Sequence, residues 1–193
     1  MPSPILHTAA GLAAALLLHR RRPATPLLPL AAVSIVVSSL PDLDYLPGLA
    51  TGSLNAFHQG PSHSLAAVIA AALVLSAIPP LRRFAGLPRF RPFFLYSLFL
   101  LLLHLLFDAF TQDFRPPIGI PLFWPFSDVP VHASFSPLLF PAWKKMALSD
   151  LFTAPNLRPA LTELLASLAL LLPAVLFPRP RISMERVKEK GSR

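Results

Sequence analysis

The chain has 193 residues, of which 54% are hydrophobic and only 13% charged, and its net charge is +8. An ordinary soluble domain carries about a quarter charged residues, so this composition excludes that class and indicates an integral membrane protein. The sequence contains no cysteine, which excludes disulfide bonds and thiolate metal ligands.

Five apolar runs predict an all-α fold, an integral membrane helical bundle of about five transmembrane helices. Several runs are shorter than the roughly 20 residues that cross a bilayer. Prolines mark their ends, because proline lacks an amide donor and restricts the residue before it. The first run is followed, not preceded, by arginines. This order is the reverse of a secretory signal, so we expect the run to remain in the mature protein. The predicted helices cover residues 4–18, 27–43, 63–80, 93–112 and 160–177.

The basic residues predict the orientation of these helices. Thirteen of the 17 Lys and Arg residues lie in three blocks, within residues 20–22, 82–91 and 179–193. With five spans, all three blocks fall on one side, which the positive-inside rule makes cytoplasmic. The N-terminus is then outside and the C-terminus inside. Membrane orientation explains the charge better than nucleic-acid binding does, so no nucleic-acid partner is expected.

The predicted organisation is one membrane-embedded domain, residues 1–178, followed by a basic cytoplasmic tail, residues 179–193. Within the domain, the stretch 112–159 changes character, with nine prolines between positions 116 and 159 and several aromatic residues. Such a stretch suits an interfacial segment better than a spanning helix. We interpret it as a Pro/aromatic-rich extracytoplasmic cap over a site. The alternative is an ordinary loop with an aromatic belt.

Ionisable side chains in these apolar segments are the strongest indication of function. They are costly in lipid, and are by default a sign of function there. The predicted topology brings them all toward the non-cytoplasmic end, roughly 20 Å from the arginine blocks at 1.5 Å per residue. Histidines and aspartates alone recur among them, which favours a metal centre. The candidates are His7, Asp42, Asp44, His58, His63, His104 and Asp108.

Two pairs of these residues have informative spacings. His104 and Asp108 are four residues apart in a helical stretch, so they project from one face and can hold one ion. A buried His–Asp pair that satisfies itself is the alternative. Asp42 and Asp44 follow Pro41 at a helix end, where two close carboxylates repel each other unless a cation lies beside them. A polar helix end that meets water is the alternative for this pair.

The remaining histidines are less specific. His58 and His63 flank a Gln-Gly-Pro-Ser turn that can bring both rings to one point or leave one outside the coordination shell. His63 is the expected ligand, and His58 is a ligand or a contact to substrate phosphate. A lone histidine such as His7 is more often structural, but its depth matches the others. Imidazoles with oxygen donors suit Zn²⁺, Mn²⁺ or Fe²⁺.

The motifs taken in order resemble the YdjM-like family of inner-membrane proteins, which are predicted to be metal-dependent hydrolases. The resemblance covers residues 5–127, although Gln59 stands where the family commonly has arginine, which puts a substrate phosphate contact in doubt. The family is distantly similar to zinc-dependent phospholipase C through the His-x-x-x-Asp helix. The resemblance implies one to three zinc ions, a phosphoester substrate and the cell inner membrane. Its motifs include His7 with Gly11, Pro41-Asp-Leu-Asp44, His58 to Ser64, His104 to Thr111 and Leu122 to Ser127.

The resulting hypothesis is a multi-pass membrane hydrolase that cleaves a lipid phosphoester at the outer leaflet with a metal-activated water. Asp44 is the expected general base and His58 an auxiliary catalytic residue. The expected partners are membrane lipids and the substrate. The alternatives are a metal-ion or proton-coupled transporter and a non-catalytic membrane protein with a structural ion. The predicted metal ligands are His7, Asp42, Asp44, His63, His104 and Asp108. Which of Asp42 and Asp44, and which of His58 and His63, bind the ion directly stays open.

Overall fold

The computed structural model describes residues 4–52, 57–111, 118–133, 141, 143 and 153–176, and these form an all-α fold. Within the described residues, three short 3₁₀ turns accompany the helices, at Pro41–Asp44, Pro61–His63 and Ala154–Asn156. The helices of the described residues are α1 Pro4–Arg21, α2 Leu27–Ser38, α3 Tyr45–Thr51, α4 Leu65–Ser76, α5 Pro79–Phe84, α6 Phe90–Ala109 and α7 Leu157–Leu176.

All five predicted runs are helical, but two of them are broken. The run predicted at 27–43 ends at Ser38, and α3 continues after the 3₁₀ turn at an angle of 50° to α2. The run predicted at 63–80 starts only at Leu65 and stops at Ser76. Ile78 precedes two prolines and has an extended backbone, as expected because proline disfavours a helical residue before it. Helix α5 is therefore a separate element.

In the part of the chain that the structure describes, fewer helices are long and apolar enough to span a membrane than the five spans that the sequence predicts. Among the described residues, α6 and the helical stretch 154–176 are long and apolar enough to cross a membrane, and α2 with the bent segment 41–51 makes a third candidate. Helix α4 has 12 residues, about 18 Å at 1.5 Å per residue, against a hydrocarbon core of about 30 Å. Five spans and the orientation of the termini therefore stay predictions.

Helices α1, α2, α4 and α6 pack around one apolar core, and α7 packs against α1. The core includes Leu30, Phe93 and Leu101, all without exposed surface. Leucines and valines on the outer faces are exposed, among them Leu28, Val36 and Leu165. An apolar exterior of this kind suits contact with lipid.

The described part of the predicted cap is tied to the ends of two helices. Residues 118–133 form a loop closed by one antiparallel bridge between Ile120 and Val131. The Leu65 amide donates to the Leu122 carbonyl at 2.9 Å, and the Ala133 amide donates to the Ala109 carbonyl at 2.7 Å. These contacts hold the loop beside the start of α4 and the end of α6. A lid over the site stays a prediction, and most of 134–152 and the tail 179–193 lie outside the described residues.

Candidate metal centre

Four parts of the chain bring histidines and aspartates to one end of the helix bundle. The first turns of α1 carry His7, and the 3₁₀ turn after α2 carries Asp42. His63 ends the turn before α4, and the last two turns of α6 carry His104 and Asp108 one above the other. All five side chains are buried, and Asp108 and His63 have no exposed surface. The structure therefore brings together residues that are up to 101 positions apart in the sequence.

The first group of candidate ligands, called the inner group here, surrounds Asp108. The His7 Nε2 lies 3.4 Å from Asp108 Oδ1, and the His104 Nε2 lies 3.2 Å from Asp108 Oδ2. The His104 Nε2 is also 3.7 Å from Asp42 Oδ1. One ligand atom from each residue lies within 4.8 Å of every other, so they can hold a single ion. The inner group consists of His7, Asp42, His104 and Asp108.

A second group, called the outer group, shares Asp42 with the first. The Nε2 atoms of His58 and His63 lie 3.9 Å and 3.7 Å from the same Asp42 Oδ1. One ligand atom from each of Asp42, His58 and His63 also lies within 4.8 Å of the others, so these three residues can hold one ion. The His63 Nε2 lies 3.2 Å from Asp108 Oδ2, so its ring stands between the two groups. The arrangement suits two neighbouring ions with Asp42 between them.

The donor geometry fits a small divalent cation. Zinc binds nitrogen and oxygen at about 2.0–2.2 Å in a tetrahedron, so two of its ligand atoms are about 3.4 Å apart. The nitrogen–oxygen distances given above, 3.2 to 3.9 Å, scatter around that value, and the remaining pairs of ligand atoms in each group lie within 4.8 Å. Among the described residues, no hydrogen bond reaches either ring nitrogen of His7, either oxygen of Asp108 or Asp42 Oδ2. Buried polar atoms are nearly always partnered, and a cation bound between these atoms would give all of them a partner.

Asp44 lies behind the histidines of the outer group. Its Oδ1 is 2.6 Å from His58 Nδ1, and its Oδ2 is 3.1 Å from His63 Nδ1 and accepts a hydrogen bond from Ser62 at 2.7 Å. A carboxylate on Nδ1 fixes the ring so that Nε2 points to the metal position. Asp44 was predicted as a ligand or as the general base, and both roles stay predictions. Both of its oxygens are engaged and it joins neither group, which favours an orienting role.

The inner group is held by contacts that sequence reasoning missed. The Nδ1 of His104 donates to the Ser38 carbonyl at 2.8 Å, which directs Nε2 toward the carboxylates. The Ser38 hydroxyl donates to the His7 carbonyl at 2.9 Å. The bond between Ser38 and His7 needs α1 and α2 to touch. A Cβ on Gly11 would lie 2.5 Å from Ser38 Oγ and 2.6 Å from the Ser34 carbonyl oxygen. The motif glycine was a signal for this contact, but nothing in the sequence pointed to Ser38.

The His58 ring is held by an aromatic contact as well as by Asp44. The ring of Tyr45, at the start of α3, stacks on the His58 ring with centroids 3.5 Å apart. Tyr45 is half-buried, and Asp42 and His58 are the least completely buried ligands of the two groups. The outer group is therefore the part of the centre nearest the surface.

Other polar residues on the predicted active side do not join the centre. Asp128 and His132 are exposed. Glu163 is buried on α7, where its carboxylate accepts a hydrogen bond from the Trp143 indole. Asp113 lies outside the described residues. The metal groups found in the described part of the chain therefore draw only on the residues singled out from the sequence.

Comparison with known proteins gives one match that spans most of the chain. The family model described as YdjM inner membrane protein matches residues 1–180. Comparison with curated proteins and with solved structures gives no match. The match extends beyond the motifs at 5–127 and includes α7. The chain therefore belongs to the YdjM inner membrane protein family.

Proposed function

We propose that this protein is a membrane-bound, metal-dependent hydrolase of a lipid phosphoester. The observation that carries the proposal is the pair of buried ligand groups joined at Asp42 Oδ1. Divalent ions at this pair would lower the pKa of a bound water toward neutrality and polarise a phosphoryl oxygen, as in two-metal phosphoester cleavage. Zinc is the proposed metal, because imidazole and carboxylate donors at these spacings suit it.

The protein's own residues supply binding and orientation. His7, His104 and Asp108 hold the inner position, and His58 and His63 hold the outer one. Asp44 and the Ser38 carbonyl fix three of the rings from behind, which keeps their donor atoms in place without rearrangement. Asp42 Oδ2 has no hydrogen-bond partner among the described residues, so no such bond competes with the two groups for this carboxylate.

The charge of the centre favours an anionic substrate. Three carboxylates, Asp42, Asp44 and Asp108, bring a charge of about −3 to it, and two divalent ions would bring +4. The surplus of about one positive charge suits a phosphodiester or phosphomonoester, since buried charge must be compensated. The exposed apolar side chains of the neighbouring loop, such as Phe123 and Phe126, support a substrate that enters from the lipid. A site in the outer leaflet follows from the predicted orientation and is part of the proposal.

The direct test combines metal content with activity. The detergent-purified protein is analysed for metals and assayed on phospholipids and phosphomonoesters with and without chelator. His104→Ala should lose the inner ion and the activity, whereas His132→Ala, which removes an exposed histidine of the same region, should keep both. Wild-type metal content in His104→Ala would show that His104 is not a metal ligand. Full activity after chelation would refute metal dependence.

A second candidate is transport of a metal ion or proton, and one observation favours it. Below the centre, Ser34 on α2 hydrogen-bonds the Tyr96 hydroxyl on α6 at 2.6 Å, so polar groups continue inward from Ser38. However, the Ser34 hydroxyl also donates to the Leu30 carbonyl of its own helix. A buried serine commonly finds its hydrogen-bond partner in this way without any role in transport. Zinc uptake into proteoliposomes that is lost in Asp108→Asn would favour the transporter over the hydrolase.

A further inference from the structure

A second polar feature lies at the opposite end of the helices from the metal centre. A cavity of about 250 Å³ opens between the loop after α1 and the loop before α6, with Arg22 from the first loop and Arg89 from the second among its walls. Both arginines are exposed, so an incoming ligand can reach them. Arg89 is 15 residues before His104, which corresponds to about 22 Å along α6. The cavity is therefore separate from the metal centre.

The two loops are fixed against each other. Gly86 has a φ of +71°, and a Cβ there would lie 2.4 Å from Pro26 Cδ and 2.8 Å from Thr25 Cγ2. The Thr25 carbonyl accepts a hydrogen bond from His19 at 2.7 Å. Leu87, next to Gly86, is buried in the core. The arginines consequently stand on preformed loops, which lowers the entropy lost when a ligand binds.

No acidic side chain balances these arginines in the neighbouring sequence. Residues 1–41 and 45–107 contain no Asp or Glu, although they carry seven arginines. Among the described residues, neither Arg22 nor Arg89 forms an ion pair. Two arginines that line one small cavity suit a phosphate, whose oxygens arginine binds in a bidentate manner.

We propose that the cavity lined by Arg22 and Arg89 is a phosphate-binding site, distinct from the metal centre. Two sources have this chemistry, the head group of an anionic phospholipid and free phosphate. A lipid bound there would anchor the arginine end of the bundle to the leaflet opposite the metal centre.

The test compares two double variants of equal charge. Arg22→Gln/Arg89→Gln removes the cavity arginines, and the control Arg21→Gln/Arg83→Gln removes two exposed arginines of the same blocks that do not line the cavity. Thermal unfolding of the full chain in detergent is followed while phosphatidylglycerol, phosphatidylcholine or inorganic phosphate is added. A cooperative unfolding transition in the absence of added lipid or phosphate reports that each variant is folded.

The proposal predicts a large difference between the doubles. Half-saturation by phosphatidylglycerol should need about 30-fold more lipid in the cavity double, because each cavity arginine loses a hydrogen bond to phosphate worth about 1 kcal/mol. The control keeps both of these bonds, so it should need at most about threefold more lipid. If phosphatidylglycerol stabilises the protein and inorganic phosphate does not, the ligand of the cavity is a lipid head group. If inorganic phosphate stabilises the protein equally well, the ligand is free phosphate. Equal losses in both doubles, no loss in the cavity double, or no stabilisation of the wild type by either anion would overturn the proposal.

Discussion

Replacement of Gly11 by alanine should weaken metal binding much more than it weakens the fold. The added Cβ would lie 2.6 Å from the Ser34 carbonyl oxygen and 2.5 Å from Ser38 Oγ, whereas ordinary contacts begin at 3.4 Å. Helices α1 and α2 must therefore separate by roughly 0.8 Å there. Ser38 holds both the His7 backbone and the His104 ring, so this shift passes directly to two ligands of the inner group.

The two effects of Gly11→Ala have different magnitudes. Overpacking costs about 1–3 kcal/mol, but alanine recovers about 1 kcal/mol of helix propensity over glycine. The metal-free protein should thus lose about 0–2 kcal/mol of stability. Metal–ligand distances tolerate only about 0.2 Å, and loss of supporting contacts typically lowers metal affinity about 10- to 100-fold. Zinc affinity should fall by that larger factor.

Competition with a chromogenic chelator measures the zinc affinity, and thermal unfolding of the chelated protein measures the stability. Ala70→Val, which adds bulk at an exposed position of α4, serves as the control and should change neither. Wild-type zinc affinity in Gly11→Ala would refute the inference that close contact between α1 and α2 positions the inner ligands.

Three further outcomes are expected. Asp44→Asn should lower zinc affinity about 10- to 100-fold without abolishing binding, because it removes an orienting contact rather than a ligand. Chelator competition measures the affinity, with Asp128→Asn as the exposed control. Complete loss of zinc binding would show that Asp44 is a ligand. Tyr45→Ala should lower the zinc affinity of the outer group only, since the tyrosine ring stacks on His58. Stepwise zinc titration measures the two affinities separately. An equal decrease at both groups would contradict this prediction. Removal of metal should lower the melting temperature, and zinc at about 100 times its dissociation constant should raise the free energy of unfolding by about 2.7 kcal/mol. A melting temperature unchanged by chelator would mean that no ion joins these helices.

The convergence of the ligands could be predicted from the sequence, but their division into two groups could not. Helical spacing places His104 and Asp108 on one face, and the matching distance of His7 and His104 from arginines predicts a common depth. The different roles of Asp42 and Asp44 depend on the turn that carries them. In a 3₁₀ turn of three residues per turn, side chains two positions apart diverge by about 120°. Asp42 therefore faces the ligand nitrogens while Asp44 lies behind the imidazoles.

The helix breaks were also only partly predictable. Pro41 indicated an end for the second apolar run, yet α2 already ends at Ser38, and the apolar residues after the turn form α3. The contact of Ser38 with His7 and His104 depends on how closely α1 and α2 approach, which is a tertiary distance. A serine in an apolar helix carries no sign of such a role, because most such hydroxyls simply bond the preceding turn.

The number of bound ions in single-ligand variants tests the shared role of Asp42 most directly. Elemental analysis of the purified protein should find two ions in the wild type, one in His7→Ala and one in His58→Ala. Asp42→Ala should lose both, because both groups use Asp42 Oδ1. Wild-type metal content in Asp42→Ala, or loss of both ions in His58→Ala while the fold persists, would contradict a centre built from two groups joined at one carboxylate.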